Sequence, residues 1–179
     1  MKLDQDKLLK NLKETTEANL QQANEWLKLE ITKLNQKPDE KSWSMLECVE
    51  HLNRYSAFYL PEIARQLPKA KSKSSNSFKS GWLGNYFAQS MLPKERLNKM
   101  KTFKSMNPAG SHLTKTVLEQ FITDQEQLLE LLEQAKAKDL TSVKTGITLT
   151  KFIRFKLGDT FRFYIFHNLR HVEQGQRCL

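Results

Sequence analysis

Apolar positions recur three or four residues apart along four stretches of this 179-residue chain, the spacing that lines one face of an α-helix. The first stretch runs from about Gln5 to Leu34, with Leu20, Ala23, Trp26, Leu27, Ile31 and Leu34 in step. Lys37-Pro38-Asp39 closes it, because the residue before a proline avoids helical backbone. The second opens at Ser44. Ser44 and Glu47 make an S-x-x-E capping box, in which each side chain satisfies a backbone N–H of the first turn. Val49, Leu52, Ser56, Tyr59, Leu60, Ile63 and Leu67 carry this helix to Pro68. The third, Leu113 to Ala137, puts Val117, Phe121, Leu128 and Leu132 on one stripe with Gln125 among them, and Ser111 is its expected N-cap. The fourth follows Leu157-Gly158, with Asp159 as the expected cap of an aromatic-rich run ending near Gln174.

Between the third and fourth helices, Ile147 to Phe155 is β-branched and roughly alternating, which predicts a short extended piece or irregular crossover. A long connection, about Pro68 to Ala109, separates the second helix from the third. Trp82, Tyr86, Phe87, Met91 and Leu92 predict a short helix inside it. Structureless loops of such length are uncommon in compact domains. The expected fold is all-α, a four-helix bundle with one long crossover between helices two and three. Residues 1–179 are expected to be one domain, including a basic connector at about 69–110.

Charge changes this picture in one place. The chain carries 29 Lys+Arg against 20 Asp+Glu, a formal +9. Residues 69–104 hold nine of the basic residues and only Glu95 on the acidic side. The excess belongs to a connector that opens with the polar run KAKSKSSNSFKSG, and the rest of the chain is nearly neutral. A general affinity for nucleic acid is therefore disfavoured. No apolar run approaches the roughly 20 residues that span a bilayer. The first residues are charged throughout, with no apolar core of a secretory signal, so a cytoplasmic protein with no membrane association is expected. Cys48 and Cys178 make no disulfide framework. Cys48 reads as a small buried residue and Cys178 as a free thiol near a frayed end.

Four histidines occur, and His167 and His171 form H-x-x-x-H in the fourth helix. Four residues on a helix turn through about 400°, so the two rings lie about 40° apart and about 6 Å along the axis, close enough to converge on one cation. On spacing alone the pair carries little weight. Its setting carries more, because Phe163, Tyr164 and Gln174 share that side. Two neutral imidazoles buried together each need a hydrogen-bond partner, and protonating both would set like charges side by side. A metal ion takes a lone pair from each and resolves both problems. His51 lies about two turns into the second helix, with Cys48, Tyr55 and Phe58 on its side. Alone it reads as a core-edge histidine bonded to a neighbouring carbonyl. Beside the pair it reads as the third ligand. Three histidines with an open position describe a catalytic site better than a closed structural one.

W-S-M-L-E-C-V-E-H-L from Trp43 to Leu52, together with L-G-D-T-F-R-F-Y-I-F-H-N-L-R-H-V-E-Q from Leu157 to Gln174, resembles the DinB/YfiT-like superfamily. That resemblance implies a four-helix bundle with a divalent metal held by one histidine of helix two and an H-x-x-x-H pair of the last helix. It implies His51, His167 and His171 as ligands of Zn, Ni or Fe. It also implies a metal-dependent hydrolase or thiol S-transferase, acting on a small molecule with water or a low-molecular-weight thiol as the activated group. Homodimers are common in the family, and Trp26 and Leu29 supply leftover apolar surface for one.

The remaining candidates each have a plainer reading. Glu47 is a supporting acceptor for His51, a ligand, or simply half of the capping box. Gln174 and Arg170 contact substrate, or form a polar bundle edge and a solvated arginine. His112 stands among polar residues and faces solvent. The alternatives to an enzyme are a non-enzymatic bundle with structural histidines, and a nucleic-acid or acidic-partner module. The module would use the 69–104 segment, with Phe78, Trp82, Tyr86 and Phe87 interleaved among its basic residues.

Overall fold

In the computed structural model, which describes residues 1–93 and 102–179, the first helix forms but stops early. Its start, α1 (Gln5–Leu27), is capped by Asp4, whose carboxylate accepts the Lys7 N–H at 2.8 Å. The chain then turns through Lys28–Glu30 into a separate short helix, α2 (Ile31–Leu34). Lys115 donates to the Leu27 carbonyl at 2.8 Å, satisfying a helix-end acceptor that a continuous helix would have used. The break lets Leu34 bury fully beside Trp26. Trp26 is itself only 1% exposed and belongs to the core, while Leu29, also expected to support a dimer, is half-buried against the same cluster.

The capping box is present, and α3 (Met45–Gln66) follows it. A 3-10 turn over Leu67–Lys69 ends that helix. The third long helix, α5 (Thr116–Ala135), starts five residues after Ser111, which does not cap it; Lys115 holds the cap position without a side-chain bond. The last, α6 (Leu157–Gln176), begins two residues before Asp159, so Asp159 lies in the first turn instead of capping it. α1 packs on α5 and α6, and α3 packs on the same two. The Leu, Phe and Tyr stripes read from the sequence face inward in two clusters. One gathers around Leu12, Tyr59, Phe161 and Tyr164, the other around Trp26, Leu34, Leu52 and Phe121.

The described part of the connector carries regular structure. Its residues form β2 (Ser77–Lys79), which pairs antiparallel with β1 (Lys2–Asp4), Leu3 opposite Phe78. Then comes α4 (Trp82–Met91), where the aromatic pattern predicted a helix, and a 3-10 turn over Lys104–Met106. Lys94, Glu95, Arg96, Lys99 and Lys101 lie outside the described residues. The expected extended piece is present as β4 (Thr150–Lys156), and it forms a hairpin with β3 (Lys144–Ile147) that the sequence reading did not include. Among the described residues the protein is thus mostly helical, with two small antiparallel sheets. Among the described residues no helix is long and apolar enough to cross a membrane.

Asp159 fastens the connector to α6. It is wholly buried and accepts from Ser80 Oγ, from the Gly81 N–H at 2.7 Å and from Arg162 at 3.1 Å. Arg162, equally buried, also donates to Ser80 and to Asn85 of α4. The helices approach so closely here that a Cβ on Gly84 would sit 2.6 Å from Asp159, which is why glycine stands there. Phe78 is fully buried against Gly158, and Phe87 packs on Phe155, so two of the four aromatics interleaved with the lysines are turned inward. Trp82 and Tyr86 remain exposed.

Candidate metal centre

His51 comes from the second turn of α3, placed by the Ser44–Glu47 box. His167 and His171 come from the third and fourth turns of α6, which packs against α3. One ring nitrogen from each lies within 4.8 Å of the others. The ring centroids are 4.6–5.1 Å apart, and His51 Nε2 stands 3.3 Å from His167 Nε2. Two ligands about 2.0–2.1 Å from a tetrahedral zinc lie about 3.3–3.4 Å from each other, so that separation suits a shared cation.

The carbonyl-bonded reading of His51 holds, and its geometry leaves the other reading open. Its Nδ1 bonds the Met106 carbonyl at 2.7 Å, which assigns the proton to Nδ1 and leaves the Nε2 lone pair facing the cluster. Met106 belongs to the connector's 3-10 turn. Arg54 holds that turn, donating to the Asn107 carbonyl at 2.8 Å while its Nε binds Glu50. A backbone carbonyl carries no side-chain signature, so a carbonyl partner was expected but its place at Met106 was not readable from the sequence.

The other two imidazoles have buried Nδ1 atoms with no hydrogen-bond partner. Protonation does not relieve them. Burial, with the neighbouring histidines and Arg170 adding to it, holds His167 well below the ordinary histidine range, and burial does the same for His171. Burial also pulls His51 down to about 4. All three rings are therefore neutral near pH 7, the form a metal requires. The donor set fits a divalent cation, and the three histidines are positioned to hold one.

These shifts set an acid limit on the metal-free protein. The unfolded chain takes up a proton on His51 near pH 6.5, while the folded chain does so only near 4. The unfolded state therefore binds more protons across that window, and stability falls as pH drops from about 6.5 to about 4. The slope from His51 alone is at most about 1.4 kcal/mol per pH unit. Urea midpoints of the metal-free protein at pH 7 and pH 5 should differ accordingly, and His51→Phe should flatten the difference.

The cluster sits in the wall of a cavity of about 750 Å³. Trp43 lies 4.9 Å from the His51 ring, Tyr55 lies 4.5 Å from His167, and Phe163 stacks on His167. Phe87 and Met91 of α4 complete the apolar side together with Phe103. Arg170, Gln174 and Lys41 supply polar groups. Arg170 is 6% exposed, so it is not the solvated arginine of the plainer reading. The described end of the connector, Thr102 to Met106, lies over the site.

Glu47 is not in the cluster. Its carboxylate accepts from the Ser44 N–H at 2.8 Å, from Lys37 at 2.8 Å and from the Gly110 N–H at 2.9 Å, which fits the capping reading. Glu47→Ala should cost about 1.5–3 kcal/mol of stability, as loss of hydrogen bonds to a buried charge does. Zinc affinity should stay at the parent value, and urea unfolding alongside zinc titration checks both halves. Cys48 is also absent from the cluster. His112 is exposed and distant in role. The family model described as DinB superfamily matches residues 5–174. No curated protein and no solved structure matches the chain.

Proposed function

The chain belongs to the DinB superfamily, and from that premise we propose a metal-dependent enzyme that transfers a group of a small molecule to water or to a low-molecular-weight thiol. The observation that carries this is three neutral histidines converging in the wall of a cavity of ligand size. We read α1, α3, α5 and α6 as the family's four-helix bundle, and residues 1–179 as one domain.

His51, His167 and His171 are the proposed ligands of a Zn, Ni or Fe ion. Such an ion, with a coordination position left open, supplies Lewis acidity and lowers the pKa of a water or thiol bound there. The chain's own residues do the rest. The Met106 carbonyl keeps the His51 proton on Nδ1, so that Nε2 stays a donor of electrons. Trp43, Tyr55, Phe87 and Phe163 wall off bulk water and pack the apolar part of a substrate. Arg170, partly desolvated beside the histidines, adds to the forces that keep His167 neutral and offers a polar edge to the cavity.

Aryl esters and activated aryl halides, offered to zinc-loaded protein with and without a low-molecular-weight thiol, test this. Turnover that needs the metal is expected, and it should vanish in His51→Ala with helicity retained. Dependence on the thiol would assign transfer over hydrolysis. Turnover that survives both metal removal and His51→Ala would overturn the reading.

A further inference from the structure

We propose that Cys48 and Cys178 are a reversible dithiol–disulfide pair, oxidised by exchange with a low-molecular-weight disulfide, which fastens the turn after α6 to α3 beside the histidine cavity. Both thiols are free, and each one perturbs the titration of the other. Cys48 is fully buried on the first turn of α3, and Cys178, partly exposed, stands two residues beyond the end of α6. The last turn of α6 runs directly over Cys48, since a Cβ on Gly175 would lie 3.8 Å from the Cys48 Cβ. Cys178 Sγ is held there, 3.3 Å from the carbonyls of both Trp43 and Gln174. Cys178 lies in a turn outside the helix, which can shift to bring its sulfur to the bond length of about 2.05 Å without unwinding α6.

The environment divides the roles. The Cys48 hydrogen bond lowers the Cys178 pKa, and the same contact, with burial, raises that of Cys48. Cys178, the more accessible sulfur, is the one that an external disulfide can reach. Cys178 thiolate attacks one sulfur of R–S–S–R, forming a mixed disulfide and releasing RS⁻. The Cys48 sulfur then attacks the Cys178 sulfur of that mixed disulfide, forming Cys48–Cys178 and releasing a second RS⁻. The two cysteine protons end on the two released thiols, and the oxidant is reduced by the two electrons the cysteines give up. The carbonyls that Cys178 touches belong to Trp43 and Gln174, two residues of the cavity wall, so the pair lies at its edge. The proposal stands whether or not a metal is bound.

Full-length protein equilibrated in mixtures of glutathione and glutathione disulfide, quenched with acid, alkylated and weighed intact tests it. The parent should pass from two alkylated thiols to none, losing two hydrogens and retaining no glutathione, and reductant should restore both thiols. Cys48→Ser, checked for parent helicity, should instead accumulate one glutathione on Cys178. Three results would overturn the proposal. The parent could stay doubly alkylated at ratios that modify Cys48→Ser, it could retain bound glutathione, or Cys48→Ser could remain unmodified.

Discussion

Asp159→Ala is expected to lower the free energy of unfolding by about 3–5 kcal/mol, the range seen when one member of a buried ion pair is removed. Asp159 and Arg162 are almost entirely hidden from water, and burial already lowers the Arg162 pKa. Alanine would leave that guanidinium charged with only Ser80 and Asn85 as neutral partners. Ser80 and the Gly81 N–H would lose their acceptor at the same time. The damage would reach the cavity, because these bonds hold α4, and α4 carries Phe87 and Met91 into its wall. Asp159→Asn keeps the shape and part of the hydrogen bonding, so it should cost distinctly less. Urea unfolding followed by circular dichroism gives both numbers. A loss below about 1 kcal/mol for the alanine variant would mean that the pair does not organise this end of the molecule.

The second large effect is expected at His167. In metal-free protein the His167 ring has a buried Nδ1 without a partner, while its Nε2 is the 3.3 Å partner of His51 Nε2. His167→Ala should then cost the cavity that it creates and that one hydrogen bond, and it removes the unpartnered Nδ1 at the same time. With zinc present the two proteins should separate. Zinc at 100 times its dissociation constant should stabilise the parent by about 2.7 kcal/mol. The variant should gain nothing at that concentration. Its zinc affinity should fall by more than the 10–100-fold that loss of a mere supporting partner costs. Thermal unfolding with and without zinc separates a ligand from a core residue, since a core residue would destabilise both forms equally.

How much of this was readable from the sequence depended on the range of each interaction. The Ser44–Glu47 box, the stripe of α3 and the H-x-x-x-H pair are local patterns, and each stands where its spacing put it. The histidines came together because the helix periods were right, even where helix ends were not. The ends moved for long-range reasons. α1 stops at Leu27 because Lys115, far along the chain, takes its carbonyl. Asp159 has the form of an N-cap, after glycine and before an aromatic run. Its carboxylate is instead claimed by Ser80 and Gly81 of the connector. Trp26 fits an exposed helix face by spacing, yet it packs in the core and donates to Gln176. The Met106 carbonyl on His51, the β1–β2 pairing and the Cys48–Cys178 contact leave no periodic trace at all. Lysine density in the connector was visible, but its folding onto α6 rested on one buried carboxylate that no charge count reveals.

Calorimetric titration of zinc into metal-stripped protein, repeated with His51→Ala, His167→Ala and His171→Ala, tests the central claim most directly. One ion per chain in the parent, and loss of that site in every variant with helicity retained, is the predicted result. No uptake by the parent, or uptake that persists when all three histidines are replaced together, would contradict it.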